Sequence, residues 1–238
     1  MKIALIGYGK MGKAIEQIAL QRGHEISLKI DFDNANDLNA ENINDVDVAI
    51  EFTGPGSAFE NVMKCLQLRI PVVCGSTGWL QKWQEVVSFC EQQQGSLVYA
   101  SNYSVGVNIF FEVNKKLAEL MALHDNYEIK LQEIHHTQKK DAPSGTAVTL
   151  AEQVIEKITR KKNWVNHPTD NAEELEIISG RIDPAAGTHM VKYLSSIDDI
   201  EIIHTAHDRT GFATGAVLAA EFIVNRKGIY GMKEVLGL

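Results

Sequence analysis

Lys2-Ile3-Ala4-Leu5-Ile6-Gly7-Tyr8-Gly9-Lys10-Met11-Gly12 is the stretch that decides the fold. Ile3 to Ile6 is a short apolar run of the kind that forms a buried strand, and a helical pattern follows from Lys10 to Arg22, where Gly23 stops it. A GxGxxG set between a strand and a helix is a phosphate-binding turn. Gly7 permits the tight bend, Gly9 presents no side chain to a pyrophosphate, and Gly12 lets helix and strand pack closely. Tyr8, Lys10 and Met11 complete the turn, and the helix start adds unpaired N–H groups with a partial positive charge. The next strand, expected over Glu25–Asp31, ends on a carboxylate suited to the hydroxyls of an adenosine ribose. Asp31 disfavours a 2′-phosphate, and Phe32 rather than arginine follows it. NADH is therefore the expected cofactor, with NADPH as the alternative because Lys10 offers partial compensation.

Outward from this turn the alternation continues. Strands are expected over Val46–Thr53, Pro71–Cys74 and Leu97–Ala100, with helices over Ser57–Leu68 and Trp79–Gln94. That β-α-β-α rhythm calls for an α/β fold, a parallel sheet covered by helices. A long helix is expected over Val107–Leu123, and then the texture changes. Strands over Tyr127–Ile134, Leu175–Gly180, His189–Leu194 and Ile200–Thr205 surround one amphipathic helix over Gly145–Lys161, the pattern of a mixed α+β domain. The polar segment Asn163–Asn171 reads as a surface loop.

Composition narrows the function classes. Lys and Arg number 23 and Asp and Glu 31 in 238 residues, so the net charge is 23 − 31 = −8. That balance argues against a nucleic-acid or anionic-membrane partner. Three cysteines without a CxxC pair argue against a disulfide framework or zinc site, and no apolar run approaches the ~18 residues of a membrane span. The expectation is a soluble cytoplasmic protein with no metal. His204 and His207 would face opposite ways on a strand, and His24, His124, His167 and His189 read as surface or structural residues.

Glu133-Ile-His135-His136-Thr-Gln-Lys139-Lys140-Asp141-Ala-Pro143-Ser144-Gly145-Thr146-Ala is the most informative stretch. Strand alternation puts His135 and His136 on opposite sides. Pro143 keeps Ala142 out of the helical region, and Ser144 is a natural N-cap. Gly145 and Thr146 would then open a helix and offer N–H groups and a hydroxyl to an anion. Two imidazoles, an ammonium and a helix start make a carboxylate clamp in a chain of net negative charge. The plainer alternative is a capped helix behind a solvated charged loop.

These motifs, in this order, resemble the 4-hydroxy-tetrahydrodipicolinate reductase (dihydrodipicolinate reductase) family along essentially the whole chain. The likeness rests on the glycine turn, Glu51-Phe-Thr53-Gly-Pro55, Gly75-Ser-Thr77-Gly78, Ser101-Asn-Tyr-Ser-Val-Gly106-Val-Asn108 and the cationic loop. The resemblance implies a Rossmann dinucleotide-binding domain over residues 1–106 plus 209–238, and a substrate and oligomerisation domain over 107–208. The segment from Thr210 would return as a helix to the first domain, and relatives form homotetramers. Phe52, Thr53, Gly75, Ser76, Thr77, Ser101, Asn102, Tyr103 and Ser104 would line the cofactor. His135 and Lys139 would be catalytic, and His136, Lys139, Ser144, Gly145 and Thr146 would hold a small dicarboxylate substrate. The implied reaction is NAD(P)H-dependent reduction in lysine and diaminopimelate biosynthesis. Lys10 stands where Arg is common, Glu51 for Asp, Ser76 for Thr and Tyr103 for Phe, and the glycine turn is one residue shorter than in many members. These departures touch cofactor affinity more than the reaction. Another nicotinamide dehydrogenase for a small amino or dicarboxylic acid would lack the cationic loop, and a non-catalytic dinucleotide sensor would bind NADH without turnover.

Overall fold

A computed structural model describes residues 1–238. In chain order the elements are β1 (Lys2–Ile6), α1 (Lys10–Gln21), β2 (Glu25–Ile30), β3 (Val48–Glu51), α2 (Ala58–Gln67), β4 (Val72–Cys74), α3 (Trp83–Gln92), β5 (Ser96–Tyr99) and α4 (Val105–Met121). There follow β6 (Glu128–His135), α5 (Gly145–Lys157), β7 (Asn163–Val165), β8 (Glu174–Arg181), β9 (Gly187–Leu194), β10 (Asp199–Ala206), α6 (Thr210–Ile223), β11 (Gly228–Tyr230) and α7 (Met232–Leu236). The chain divides into two compact units, one of residues 1–105 with 209–238 and one of residues 106–208. No helix is long and apolar enough to cross a membrane.

The first unit holds a six-stranded sheet in the order β11-β5-β4-β3-β1-β2, parallel throughout. Side-chain alternation explains why both faces need covering. Ile3 and Leu5 join Ile15 and Ala19 of α1 and Ala216, Ala219 and Ala220 of α6 in one apolar layer. Ala4 and Ile6 point the other way, into a layer with Val62, Cys65 and Leu66 of α2 and Val86 of α3. The expected strands and helices of this unit are present. The sequence reading missed β11 and α7: a three-residue strand beginning at Gly228, then a five-residue helix, carry too little periodicity to announce themselves.

The second unit is a five-stranded mixed sheet, β10-β9-β6-β8-β7. β6 pairs antiparallel with β9 and parallel with β8. One face packs Ile129, Leu131, Ile177, Val191 and Tyr193 against Leu150, Ala151 and Val154 of α5 and Phe110 and Ala118 of α4. Asn114 of α4, wholly buried, donates to Leu150 O (3.1 Å) and to Gln153 Oε1 (3.0 Å) of α5. Two expectations need correction here. α5 ends at Lys157 rather than Lys161, because Lys161 folds inward and donates to Glu128 Oε1 and Glu174 O, both at 2.8 Å. The segment expected as a surface loop begins as β7, whose three residues pair parallel with β8.

Candidate active site

In the first unit the glycine turn lies at the C-terminal end of β1, with β2 paired on one side and β3 on the other. Such a switch in strand order is where open parallel sheets take their ligands. Gly7 has φ +93°, and a Cβ there would lie 2.4 Å from Phe52 O. A Cβ at Gly12 would lie 2.3 Å from Gly7 O, whereas one at Gly9 would meet nothing within 4 Å. The turn is thus closed beneath and open over Gly9. α1 starts there with no side-chain cap and no acidic residue in its first turn, so its leading N–H groups and dipole favour an anion. A pyrophosphate fits that cradle.

Around the turn, Lys10 is exposed and Met11 half-buried. Lys29 Nζ stands 4.7 Å from the centre of the Tyr8 ring, and the Tyr8 hydroxyl donates to Glu16. Asp31 is exposed just past β2. Its carboxylate accepts from Phe32 N–H at 2.9 Å, and its own N–H donates to Asn34 Oδ1 at 2.8 Å, capping a short 3₁₀ turn. Phe32 is 94% exposed beside it.

The ends of β3 and β4 are tied by Glu51, a fully buried carboxylate. Thr53 N–H (3.0 Å), the Thr53 hydroxyl, the Ser76 hydroxyl (3.1 Å) and the Cys74 thiol (3.1 Å) all donate to it. Burial first, then the Glu51 charge, pushes the Cys74 thiol far up, so the thiol stays protonated and serves as a donor. Phe52 is half-buried against Tyr103, with Gly75 close beneath its ring, and Thr77 is exposed. Past β5, Ser101 is exposed and Asn102 Oδ1 accepts from Ser104 N–H at 2.9 Å. Tyr103 corrects the sequence reading. Its phenol is turned into the core, where it donates to Cys74 O (2.9 Å) and Val98 O (3.1 Å), so the side chain does not line a cofactor surface.

In the second unit the inner face of the sheet changes character along β6. Ile129 and Leu131 belong to the apolar core, but the next two residues on the same face are Glu133 and His135, both buried. Register brings partners to them: Glu133 lies opposite His189 of β9, and His135 opposite Arg181 of β8. The Glu133 carboxylate contacts His135 Nδ1 through Oε2. Its Oε1 accepts from Arg181 Nη1 at 3.0 Å and from Ser144 N–H at 3.3 Å. Burial works to raise the Glu133 carboxyl, but hydrogen bonds from His135, Ser179 and Arg181 outweigh it and hold the group at about 2. His189 goes the other way. Burial, then the neighbouring His135 charge, pushes it down to about 3, so it is neutral at ordinary pH.

The helix start closes over this polar end. Ser144 is buried and caps α5: its hydroxyl accepts from Ala147 N–H at 3.2 Å and lies 3.0 Å from His189 Nε2. Gly145 and Thr146 head the helix, and a Cβ at Gly145 would meet nothing within 4 Å. Lys139 is partly exposed, its ammonium 2.8 Å from the Asp141 carboxylate, and burial of Asp141 is outweighed by that contact, which lowers its carboxyl. Arg181 pins the loop, donating to Lys139 O (3.3 Å) and Asp141 O (2.5 Å). His136 is half-buried just beyond the strand.

His189 and Arg181 are the residues that sequence reasoning missed. Of the two roles expected for His189, surface or structural, the buried one holds: it stands edge-on to His135, ring centres 5.1 Å apart. The available signal was its alternation with Val191 and Tyr193, which puts it on the apolar face of β9. Ligand-type atoms of Glu133, His135 and His189 come within 4.8 Å of one another, a metal-like grouping that the sequence reading did not anticipate. The Arg181 guanidinium already supplies positive charge to that carboxylate, which disfavours a second cation there.

A parallel sheet with an anion-ready glycine turn, joined to a mixed sheet that buries imidazoles under a helix start, is the build of a dinucleotide-dependent oxidoreductase. The family model described as dihydrodipicolinate reductase, N-terminus, matches residues 1–103, and its C-terminus counterpart matches residues 106–236. A 4-hydroxy-tetrahydrodipicolinate reductase from Christiangramia forsetii is 47% identical over 238 residues, covering 99% of this chain and 98% of that protein. One from Methanosarcina barkeri is 37% identical over 196 residues, covering 81% and 73%. A dipicolinate-bound dihydrodipicolinate reductase from Paenisporosarcina sp. TG-14 shares the fold, with a TM-score of 0.76 at 23% identity over 98% of each chain. The chain belongs to the dihydrodipicolinate reductase family. That family is one of oxidoreductases that use a nicotinamide dinucleotide.

Proposed function

We propose that this chain reduces 4-hydroxy-tetrahydrodipicolinate to tetrahydrodipicolinate with loss of water, in lysine and diaminopimelate biosynthesis. The observation that carries the chemistry is the polar head of α5, where the Ser144 hydroxyl lies 3.0 Å from buried His189, which stands edge-on to buried His135. Family membership supports the substrate.

The dinucleotide, when bound, supplies the hydride. Gly7, Tyr8, Gly9, Lys10, Met11 and Gly12 hold its pyrophosphate, Asp31 its adenosine ribose, and Phe52, Thr53, Gly75, Ser76, Thr77, Ser101, Asn102 and Ser104 its nicotinamide side. Tyr103 serves that side only through the packing of its ring against Phe52. The exposed Asp31 carboxylate, with no arginine beside it, supports NADH over NADPH.

The substrate is a ring imine carrying two carboxylates. Gly145, Thr146 and Ser144 receive one carboxylate at the helix start, and His136 and Lys139 meet the remaining negative charge. Charge moves toward the ring nitrogen as the conjugated system is reduced, and Lys139 stabilises it. His135 delivers the proton that completes the adjacent carbon. Anchoring is part of catalysis, because hydride donor and acceptor carbons must sit ~3–3.5 Å apart.

We also read the chain as a cytoplasmic homotetramer. Three buried, unpaired cysteines support a reducing compartment. The outward face of the second sheet, with Ile134 and Met190 only half-buried, supports assembly through that sheet. The decisive experiment adds freshly generated 4-hydroxy-tetrahydrodipicolinate to protein and NADH and follows nicotinamide absorbance. Substrate-dependent NADH loss is expected; NADH binding without any loss would make the chain a sensor and refute the reading.

A further inference from the structure

The two nitrogens of the His135 ring have different surroundings. Nδ1 and Glu133 Oε2 are buried in ion-pair contact with each other, and neither atom makes a hydrogen bond elsewhere. Nε2 faces Gly187, where a Cβ would come within 3.0 Å of it, so the absence of a side chain there keeps that nitrogen clear. Glu133 itself cannot drift. Its other oxygen is fixed by Arg181 Nη1 and Ser144 N–H, and the residue has no solvent exposure. Which nitrogen of a histidine carries its proton is set by the partner of the other one.

We propose that Glu133 is a positioning residue for the reaction: it holds the Nδ1 proton of His135 and leaves Nε2 as the nitrogen that gives its proton to the substrate. This rests on the reading of His135 as the proton donor. In that step the Nε2–H bond of the imidazolium breaks and its electron pair stays on nitrogen. A C–H bond forms on the substrate ring, and the neutral ring keeps its Nδ1 proton against Glu133. Solvent restores the Nε2 proton before the next turnover. Glu133 touches neither substrate nor cofactor; it acts through the imidazole. Arg181 and Ser144 act one step further out by fixing the carboxylate.

The geometry also says what Glu133→Gln would do. Arg181 and the Ser144 N–H would claim the amide oxygen, so the NH₂ group would face His135 Nδ1 and donate into it. The proton of the neutral ring would then have to sit on Nε2. Glu133→Asp would keep the charge but shorten the reach.

Long-range proton–nitrogen correlation spectra of histidine-labelled protein read the tautomer directly, with the His135 signals assigned by their loss in His135→Gln. The expected neutral wild-type ring carries its proton on Nδ1. In Glu133→Gln the proton should move to Nε2, and kcat should fall about a hundredfold or more while the KM for NADH stays unchanged. Glu133→Asp should recover part of kcat. The wild-type result does not depend on how well any Glu133 variant folds. A wild-type ring protonated on Nε2, or full kcat in Glu133→Gln, would overturn the proposal. The two readings separate cleanly. Loss of turnover in His135→Gln with full turnover in Glu133→Gln would sink the positioning role alone, whereas full turnover in His135→Gln would sink the catalytic assignment beneath it as well.

Discussion

The heads of α1 and α5 use one backbone device in two different settings. At α1 the N-cap is exposed Gly9, no side chain caps the helix, and the adjoining Lys10 and Lys13 are in solvent. At α5 the N-cap is a buried serine whose hydroxyl already serves Ala147 N–H, and Glu133, His135 and His189 lie buried with it. An open head with no buried titratable group beside it can hold an anion of permanent charge, using backbone N–H groups, the helix dipole and solvent-exposed lysines. A head built over buried imidazoles can hold a carboxylate and also move a proton. On the proposed function, binding belongs to the first and chemistry to the second.

The largest expected effect breaks the second region. His135→Ala and Lys139→Ala should each lower kcat by about 10²–10⁴-fold, measured by NADH oxidation at saturating substrate, and a double variant with near-full turnover would remove both roles. Next in size come the glycines of the first region, which should fail differently from one another. Gly12→Ala places a Cβ against backbone and should cost about 1–3 kcal/mol of stability in denaturant unfolding. Gly9→Ala has room, so the unfolding midpoint should hold while the Kd for NADH rises about tenfold, a loss of ~1.4 kcal/mol.

Much of this contrast is legible in sequence. A GxGxxG between strand and helix carries its own context within eleven residues, and Pro143-Ser144-Gly145 marks a helix start by local rules. What the sequence hid depends on register between distant strands. Arg181 reaches Glu133 and His189 reaches His135 only because β8 and β9 flank β6, and no local pattern states that pairing. Tyr103 misled for a related reason. It sits in a motif of polar, ligand-like residues, yet its ring is large enough to be drawn into the core, where two carbonyls satisfy its hydroxyl. Glu51 was visible as part of a motif, but not as the buried acceptor that joins β3 to β4.

Two smaller effects concern cofactor choice in the first region and acid sensitivity in the second. Asp31→Ser should move the kcat/KM ratio toward NADPH by about tenfold, equivalent to ~1.4 kcal/mol of relieved repulsion; an unchanged ratio would separate Asp31 from cofactor choice. His189 makes the second region sensitive to acid. Its folded value near 3 lies below its ordinary 6.5, so the fold binds fewer protons than the unfolded chain between these limits. Stability should be full above about pH 6.5 and decline as pH falls toward 3, by at most ~1.4 kcal/mol per pH unit from this group. Glu133 adds its own loss only between its ordinary 4.5 and about 2. His189→Gln should flatten the decline between pH 6.5 and 4.5 in equilibrium unfolding; an unaltered slope would assign the acid sensitivity elsewhere.

The most direct measurement of this division of labour is a crossed one, comparing NADH affinity with the single-turnover rate at saturating NADH in Gly9→Ala and in the His135→Ala/Lys139→Ala double variant. The first is expected to lose affinity and recover its rate once NADH saturates, while the second keeps its affinity and loses its rate. Loss of the same parameter in both would contradict that division.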